Sequence, residues 1–134
     1  MAGEQRSNRD TKQRRAIRGA FVHADRPLSP PEVHQLAMAE VPELGIATVY
    51  RALKRLQDNG EIVPVDFPGE LTRYELAGKD HHHHFLCRSC DRAFELEGCP
   101  GRLSALLPAG FELQAHDLTL YGRCAECVES DRTG

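Results

Sequence analysis

The run Ala47-Thr48-Val49-Tyr50-Arg51-Ala52-Leu53-Lys54-Arg55-Leu56-Gln57-Asp58, closed by Asn59-Gly60, decides the fold of the first half of this chain. Val49, Ala52, Leu53 and Leu56 fall at i, i+3, i+4 and i+7, so they form one apolar stripe along a helix. The opposite face carries Tyr50, Arg51, Lys54 and Arg55, a basic surface suited to a polyanion. Tyr50 is open to a second reading, in which it packs internally, although the stripe is complete without it.

Working upstream, Ser29-Pro30-Pro31-Glu32 reads as a capping box. Ser29 is the N-cap, Pro30 the first helical residue, and Glu32 reaches back. The helix it opens carries Val33, Leu36 and Ala37, and Val41-Pro42 ends it. His34 within it reads as a surface residue. Before the break at Ala24-Asp25-Arg26-Pro27, residues Ala16, Ile17, Ala20 and Phe21 fall at helical spacing from Asp10 onward. Lys12, Arg14, Arg15 and Arg18 lie mostly elsewhere on that helix, as a solvated face or a phosphate-contacting one. Residues 1–9 are polar and read as disordered.

Downstream, Glu61–Asp66 and Leu71–Leu76 read as strands joined by Phe67-Pro68-Gly69-Glu70, with Pro64 marking an edge. Helices, a turn, a basic helix and then a hairpin make a winged helix-turn-helix over residues 1–76. Residues 77–80, Ala77-Gly78-Lys79-Asp80, read as a hinge.

The second half, residues 81–134, opens on His81-His82-His83-His84-Phe85-Leu86-Cys87-Arg88-Ser89-Cys90, six metal-ligand side chains in ten residues. An affinity tag would sit at a terminus, and this run is internal and continues into Phe85-Leu86. Cys87 and Cys90 form one Cys-x-x-Cys pair, and Cys124 and Cys127 form a second. Two such pairs mark a four-thiolate structural zinc site in preference to a redox pair. In a strand, alternate residues face opposite ways, so His81 and His83 face one side and His82 and His84 the other. One segment can thereby serve two further metal sites. Beyond it, Arg92–Leu96 reads as a strand, a short helix follows Cys99-Pro100-Gly101, His116–Gly122 reads as the last strand, and the tail after Val128 is polar.

Composition agrees with two small lobes, and the expected fold class is α+β: a winged helix followed by a small α/β dimerisation lobe. The 134 residues are 40% apolar with no Trp, so each lobe needs help from a metal or a partner. Residues 1–60 hold ten Lys or Arg against seven Asp or Glu, a net +3, while residues 61–134 hold seven against thirteen, a net −6. No apolar run reaches membrane-spanning length and no signal peptide is visible, so a cytoplasmic protein with reduced thiols is expected.

Ala47-Thr48-Val49-Tyr50-Arg51, Tyr74-Glu75, the histidine run with Cys87 and Cys90, and His116 through Tyr121-Gly122 to Cys124 resemble the ferric uptake regulator family. The resemblance covers nearly the whole chain, with the motifs in the same order and spacing. It implies a dimeric bacterial metal-sensing repressor that binds double-stranded operator DNA when a divalent metal closes its two lobes. Members sense iron, zinc, manganese or nickel, and one branch senses peroxide through bound iron. By resemblance, His82 and His84 join Glu75 and Glu95 in a regulatory site between the lobes, and Tyr50 and Arg51 contact bases. Thr48, Lys54 and Arg55 suit phosphates.

Two departures from the family stand out. Many members supply a His before the second helix, where this chain has Arg26-Pro27; His23 or water replaces it, or the site loses a ligand. The second regulatory site resembles one built from His81, His83, His116 and a Glu at the position of Arg102, and an arginine cannot ligate a cation. Cys99 stands about one helical turn earlier and is the cysteine left over, so a His3Cys set is expected, against the plainer reading of Cys99 as a small buried apolar residue. One thiolate with three imidazoles favours zinc over Fe²⁺ or Mn²⁺. Zinc sensing, the zinc uptake regulator branch, is the favoured reading, with iron, manganese or peroxide response as alternatives.

Rival classes fare worse. A zinc hydrolase needs an open metal position and a general base, and Glu75 and Glu95 are better used as ligands. A thiol oxidoreductase needs a thioredoxin-like βαβ pattern. A zinc-ribbon module without DNA binding would not need a basic third helix. No enzyme activity is expected.

Overall fold

The computed structural model describes residues 2–133, with side chains placed for residues 9–132, and divides the chain into two compact units between Gly78 and Lys79. Three α-helices, α1 (Ala2–Ala24), α2 (Pro30–Ala37) and α3 (Ile46–Asp58), precede a two-stranded antiparallel hairpin of β1 (Ile62–Val65) and β2 (Arg73–Leu76). Helix α1 starts at Ala2, where residues 1–9 were expected to be disordered. No proline interrupts residues 2–9, and lengthening an existing helix avoids the nucleation cost that an isolated turn would bear.

The core of this unit is one cluster: Ile17 and Phe21 of α1, Leu28, Val33 of α2, Val49, Leu53 and Leu56 of α3, and Ile62 of β1, with smaller neighbours. Fully burying a side chain such as Phe21 or Leu53 contributes about 1.5–3 kcal/mol, so the apolar stripe of α3 anchors that helix firmly. Leu36, read as part of the apolar face of α2, is 44% exposed, and Val33 and Ala37 do the packing instead. The capping box at α2 is formed. Glu32 N donates to Ser29 Oγ at 3.4 Å and Ser29 N donates to Glu32 Oε1 at 3.0 Å. His34 is not idle: its Nε2 lies 2.7 Å from the Leu44 carbonyl oxygen and ties α2 to the loop before α3.

The hairpin pairs Ile62 with Leu76 and Val65 with Arg73. Leu28 adds a bridge to Tyr74 on the free side of β2, with both hydrogen bonds at 2.8 Å, which leaves β1 and its Pro64 at the edge. Phe67, expected in an exposed turn, is buried, and the guanidinium of the buried Arg73 lies 5.4 Å over its ring.

The second unit is a three-stranded sheet in the order β4-β3-β5. Strand β3 (His83–Cys87) pairs antiparallel with β4 (Ala93–Leu96) and parallel with β5 (Thr119–Gly122). A short 3-10 turn spans Leu103–Leu106, and α4 (Ala125–Thr133) follows β5. The last strand is shorter than the expected 116–122. Leu118 N donates to Nδ1 of His83 at 3.2 Å instead of to a strand, so regular pairing starts only at Thr119. The polar tail folds as α4, which composition did not announce. Arg123 pairs with Asp131 and donates to the Cys127 carbonyl, while Arg92 pairs with Glu126 at 3.0 Å, fastening the helix to the rest of the unit.

The apolar core here is slight. Leu86, Cys87 and Ala93 are the buried apolar residues among those described, while Leu106, Phe111, Leu113, Leu120 and Tyr121 are exposed. A unit of this size with so little buried apolar surface needs another source of stability.

Candidate metal centre and nucleic-acid interface

The four paired cysteines converge. Cys87 ends β3, Cys90 lies in the turn after it, Cys124 directly precedes α4 and Cys127 sits in its first turn. Cys87 Sγ is 3.6 Å from Cys127 Sγ, Cys90 Sγ is 3.8 Å from Cys124 Sγ, and the four sulfurs all lie within 4.8 Å of one another. A disulfide needs about 2.05 Å, so these are thiols. Sulfurs bound about 2.3 Å from a tetrahedral zinc sit about 3.8 Å apart, which is the spacing found, and the residues fit that ion. Main-chain N–H groups of Cys90 (3.4 Å) and Cys124 (3.3 Å) point at Cys87 Sγ. Burial pushes the Cys87 thiol up, but these N–H donors and that of Ser89 more than offset it and bring it down to about 6. Cys127 moves the other way, to about 12, because Cys124 and Cys87 hydrogen-bond to it and burial adds to them. One sulfur is therefore poised as a thiolate, the form a metal takes.

A second cluster joins His81, His83, Cys99 and His116, again with ligand atoms within 4.8 Å of one another. Nε2 of His81 is 3.3 Å from Nε2 of His116, and Cys99 Sγ is 3.0 Å from the same Nε2. Imidazole nitrogens about 2.0–2.1 Å from one zinc sit about 3.3–3.4 Å apart, so the spacing again suits a shared cation. His83 is buried, and its Nε2 has no hydrogen-bonding partner among the described residues. Leaving a buried polar atom unpaired costs roughly 1–3 kcal/mol, which a cation taking the place of its proton would relieve. Burial first, then the neighbouring His81 and His116, lowers the pKa of His83, keeping it neutral and fit to ligate. Cys99 is exposed, which sets aside the reading of it as a buried apolar residue. It reaches His116 from a loop in which Gly98 (φ 90°) and Gly101 (φ 68°) take left-handed conformations that suit glycine. Arg102, where the family's Glu was expected, also sits in the left-handed region at φ 53°.

The remaining candidate ligands are placed as follows. Glu75 is buried on β2, opposite Val63. The rings of His82 and His84 are 4.8 Å apart, centre to centre, as alternation requires. His84 lies opposite Glu95 in the β3–β4 register, but the Glu95 carboxylate is paired with Lys79. That ammonium competes with any cation for Glu95, and nothing in the sequence pointed to it.

On α3 of the first unit, Tyr50 is 50% exposed and does not pack internally, while Arg51, Lys54 and Arg55 are exposed and Thr48 is half-buried. Arg51 donates to Thr48 Oγ1 at 3.1 Å, one turn back. No helix among the described residues is long and apolar enough to cross a membrane.

Comparison with known proteins adds the following. Residues 5–121 match the sequence model of the ferric uptake regulator family. A ferric uptake regulation protein of Campylobacter jejuni is 35% identical over 122 residues, spanning 87% of this chain and 78% of that protein. The solved ferric uptake regulator of Helicobacter pylori, said to reveal three functional metal binding sites, is similar with a TM-score of 0.66 and 27% identity, over 90% of this chain and 82% of its own. A ferric uptake regulator of Francisella tularensis solved with iron gives 0.64 and 32% identity, over 87% and 91%.

Proposed function

The chain belongs to the ferric uptake regulator family, whose members are DNA-binding, metal-binding transcription regulators and not enzymes, and on that premise we propose that it is a cytoplasmic, zinc-responsive repressor acting as a homodimer. Cys87, Cys90, Cys124 and Cys127 hold a structural zinc. A closed four-sulfur shell leaves no position for substrate, and its binding free energy serves the folding of a unit with a slight apolar core. By family resemblance Glu75, His82, His84 and Glu95 serve as one regulatory set, and His81, His83, Cys99 and His116 serve as the other. A cation that binds the DNA-competent conformation better than its alternative populates it. Three ligand sets accord with the three functional metal sites of the Helicobacter pylori relative.

The observation that carries the choice of metal is the 3.0 Å approach of Cys99 Sγ to His116 Nε2. A thiolate among three imidazoles is a soft donor set that suits zinc better than Fe²⁺ or Mn²⁺. The ferric names of the relatives support iron as the alternative. On DNA, Tyr50 and Arg51 read bases, Arg51 by forking onto guanine and Tyr50 by touching thymine methyl groups, while Thr48, Lys54 and Arg55 hold phosphates. The exposed Phe111, Leu113, Leu120 and Tyr121 supply apolar surface for a second copy of the chain. A two-fold dimer reads a two-fold operator.

The test is duplex DNA binding at fixed salt after chelation, with Zn²⁺, Fe²⁺ and Mn²⁺ restored one at a time. Zinc should restore binding at the lowest free concentration. Binding indifferent to every metal would sink the repressor switch, and recovery with Fe²⁺ alone would move the assignment to iron.

A further inference from the structure

Lys79 is the first residue of the second unit, and its ammonium is paired with the Glu95 carboxylate of β4. A lysine at a junction between units ordinarily keeps its head in water. Here 21% of the lysine side chain and 17% of the glutamate side chain are exposed. An ion pair so sheltered is screened by salt far less than a surface pair. It occupies a ligand position. Glu95 stands directly opposite His84 in the β3–β4 register, and residues opposite one another project from the same face. His82 lies two residues before His84, with the two rings 4.8 Å apart. Nδ1 of His82 donates to the Asp80 carbonyl oxygen at 2.7 Å, which in the neutral ring leaves the lone pair on Nε2. A metal-ligating imidazole is held in the same way. A divalent cation on the two imidazoles therefore gains the Glu95 oxygen by displacing the Lys79 ammonium from it.

We infer that Lys79 is a tethered competitor for the regulatory metal, holding the Glu95 carboxylate until a divalent cation displaces it. Lys79 thereby sets the concentration at which this site fills and biases which metal fills it. The inference rests on the proposed reading of His82, His84 and Glu95 as regulatory ligands. Apparent affinity falls in proportion to the fraction of molecules whose site is competent to bind. With the carboxylate released in about one molecule in ten, the metal binds about tenfold more weakly than it would without the ammonium. The loss differs between metals. Zn²⁺ and Co²⁺ bind well to imidazole, whereas Mn²⁺ draws more of its affinity from oxygen, so withholding Glu95 weakens Mn²⁺ more. A lysine outside the ligand set thus acts in the same direction as the proposed Cys99 donor.

The experiment uses the full-length, reduced chain with zinc bound by its four paired cysteines. Co²⁺ and Mn²⁺ are titrated in competition with a fluorescent chelator. The proteins are the wild type, Lys79→Met, Lys79→Arg, Glu95→Gln and the Lys79→Met/Glu95→Gln pair. Co²⁺ d–d absorption without thiolate charge transfer reports this site, and the charge-transfer band of Cys99 reports the other. Lys79→Met should tighten Co²⁺ at this site about tenfold and Mn²⁺ by more, and should leave the Cys99 band at the same Co²⁺ concentration. On the Glu95→Gln background the same substitution should lose most of its effect, and Lys79→Arg should bind no more tightly than the wild type. Methionine keeps the aliphatic stem of the lysine, so its packing is retained, and unchanged circular dichroism records that. A Lys79→Met protein no tighter than the wild type, or tightened equally without Glu95, overturns the competitor and leaves the regulatory reading standing. A wild type and a Lys79→Met protein that both take up no Co²⁺ beyond the ion at Cys99 overturn both readings.

Discussion

Cys99 Sγ and His116 Nε2 approach to 3.0 Å although neither residue lies in a strand or helix and seventeen positions separate them. Such a contact between two exposed loops is stabilised little by packing. A cation bridging the pair, with His81 and His83 completing the shell, gives the contact an energetic reason. With zinc first bound by the four cysteines, added Co²⁺ should develop thiolate-to-metal charge-transfer absorption from Cys99 alone. Cys99→Ser should abolish that band and weaken zinc binding at this site by more than the roughly 10–100-fold that loss of an outer-shell partner of a ligand brings. The same band and zinc stoichiometry in the serine variant would remove Cys99 from the ligand set.

Removal of the structural metal should destabilise the second unit selectively, without melting it outright. Its sheet joins α4 chiefly through the sulfur cluster and the Arg92–Glu126 and Arg123–Asp131 pairs, and exposed pairs contribute only about 0–1 kcal/mol each. Structural zinc contributes about 10–16 kcal/mol at neutral pH in small domains. Amide exchange after strong chelation should show diminished protection in 83–87 and 119–133, while 16–56 stays protected by its own core. Retained protection in β3 would mean that the zinc is dispensable for the fold.

These two sites were legible in the sequence to very different depths. The four cysteines declare themselves by spacing, and strand alternation alone paired His81 with His83 and His82 with His84. The capping box at Ser29 and the stripe Val49-Ala52-Leu53-Leu56 were equally plain, because both depend on residues within one or two turns. What stayed hidden depends on distant partners. Nothing local says that Lys79 will take the Glu95 carboxylate, that Arg73 will lie over Phe67, or that His34 will hold the Leu44 carbonyl. Helix α4 was missed for a related reason. Its composition lacks an apolar stripe, and its stability is supplied by Arg123, Arg92 and the two cysteines at its start.

The metal-free protein should show a stability maximum near pH 9 in the contribution of its thiols. Cys87 is held near 6 in the fold against an ordinary 9.0, so its contribution is present above pH 9 and fades as pH falls toward 6. Cys127 is held near 12 against the same 9.0, so its contribution is present below pH 9 and is lost as pH rises toward 12. Thermal melts of the reduced, chelated chain across this range test both limbs. Cys87→Ser should abolish the acid limb and, because Cys87 is one of the two thiols that raise Cys127, diminish the alkaline limb without removing it. An acid limb that survives the substitution would contradict the assignment of the low value to Cys87.

Substitutions on α3 should separate reading from holding. Arg51 and Tyr50 project from a helix whose opposite stripe is fixed in the core, so truncating either leaves α3 in place. Arg51→Ala should lose roughly 1–3 kcal/mol of discrimination at the guanine it reads while retaining binding to mismatched duplexes. Lys54→Ala should instead weaken matched and mismatched duplexes alike and make the salt slope shallower by about 0.9 for each phosphate left without its cation. Competition binding against single-base operator variants distinguishes the two patterns. If Arg51→Ala weakens all duplexes equally, Arg51 holds phosphate, and base reading passes to Tyr50 and its neighbours.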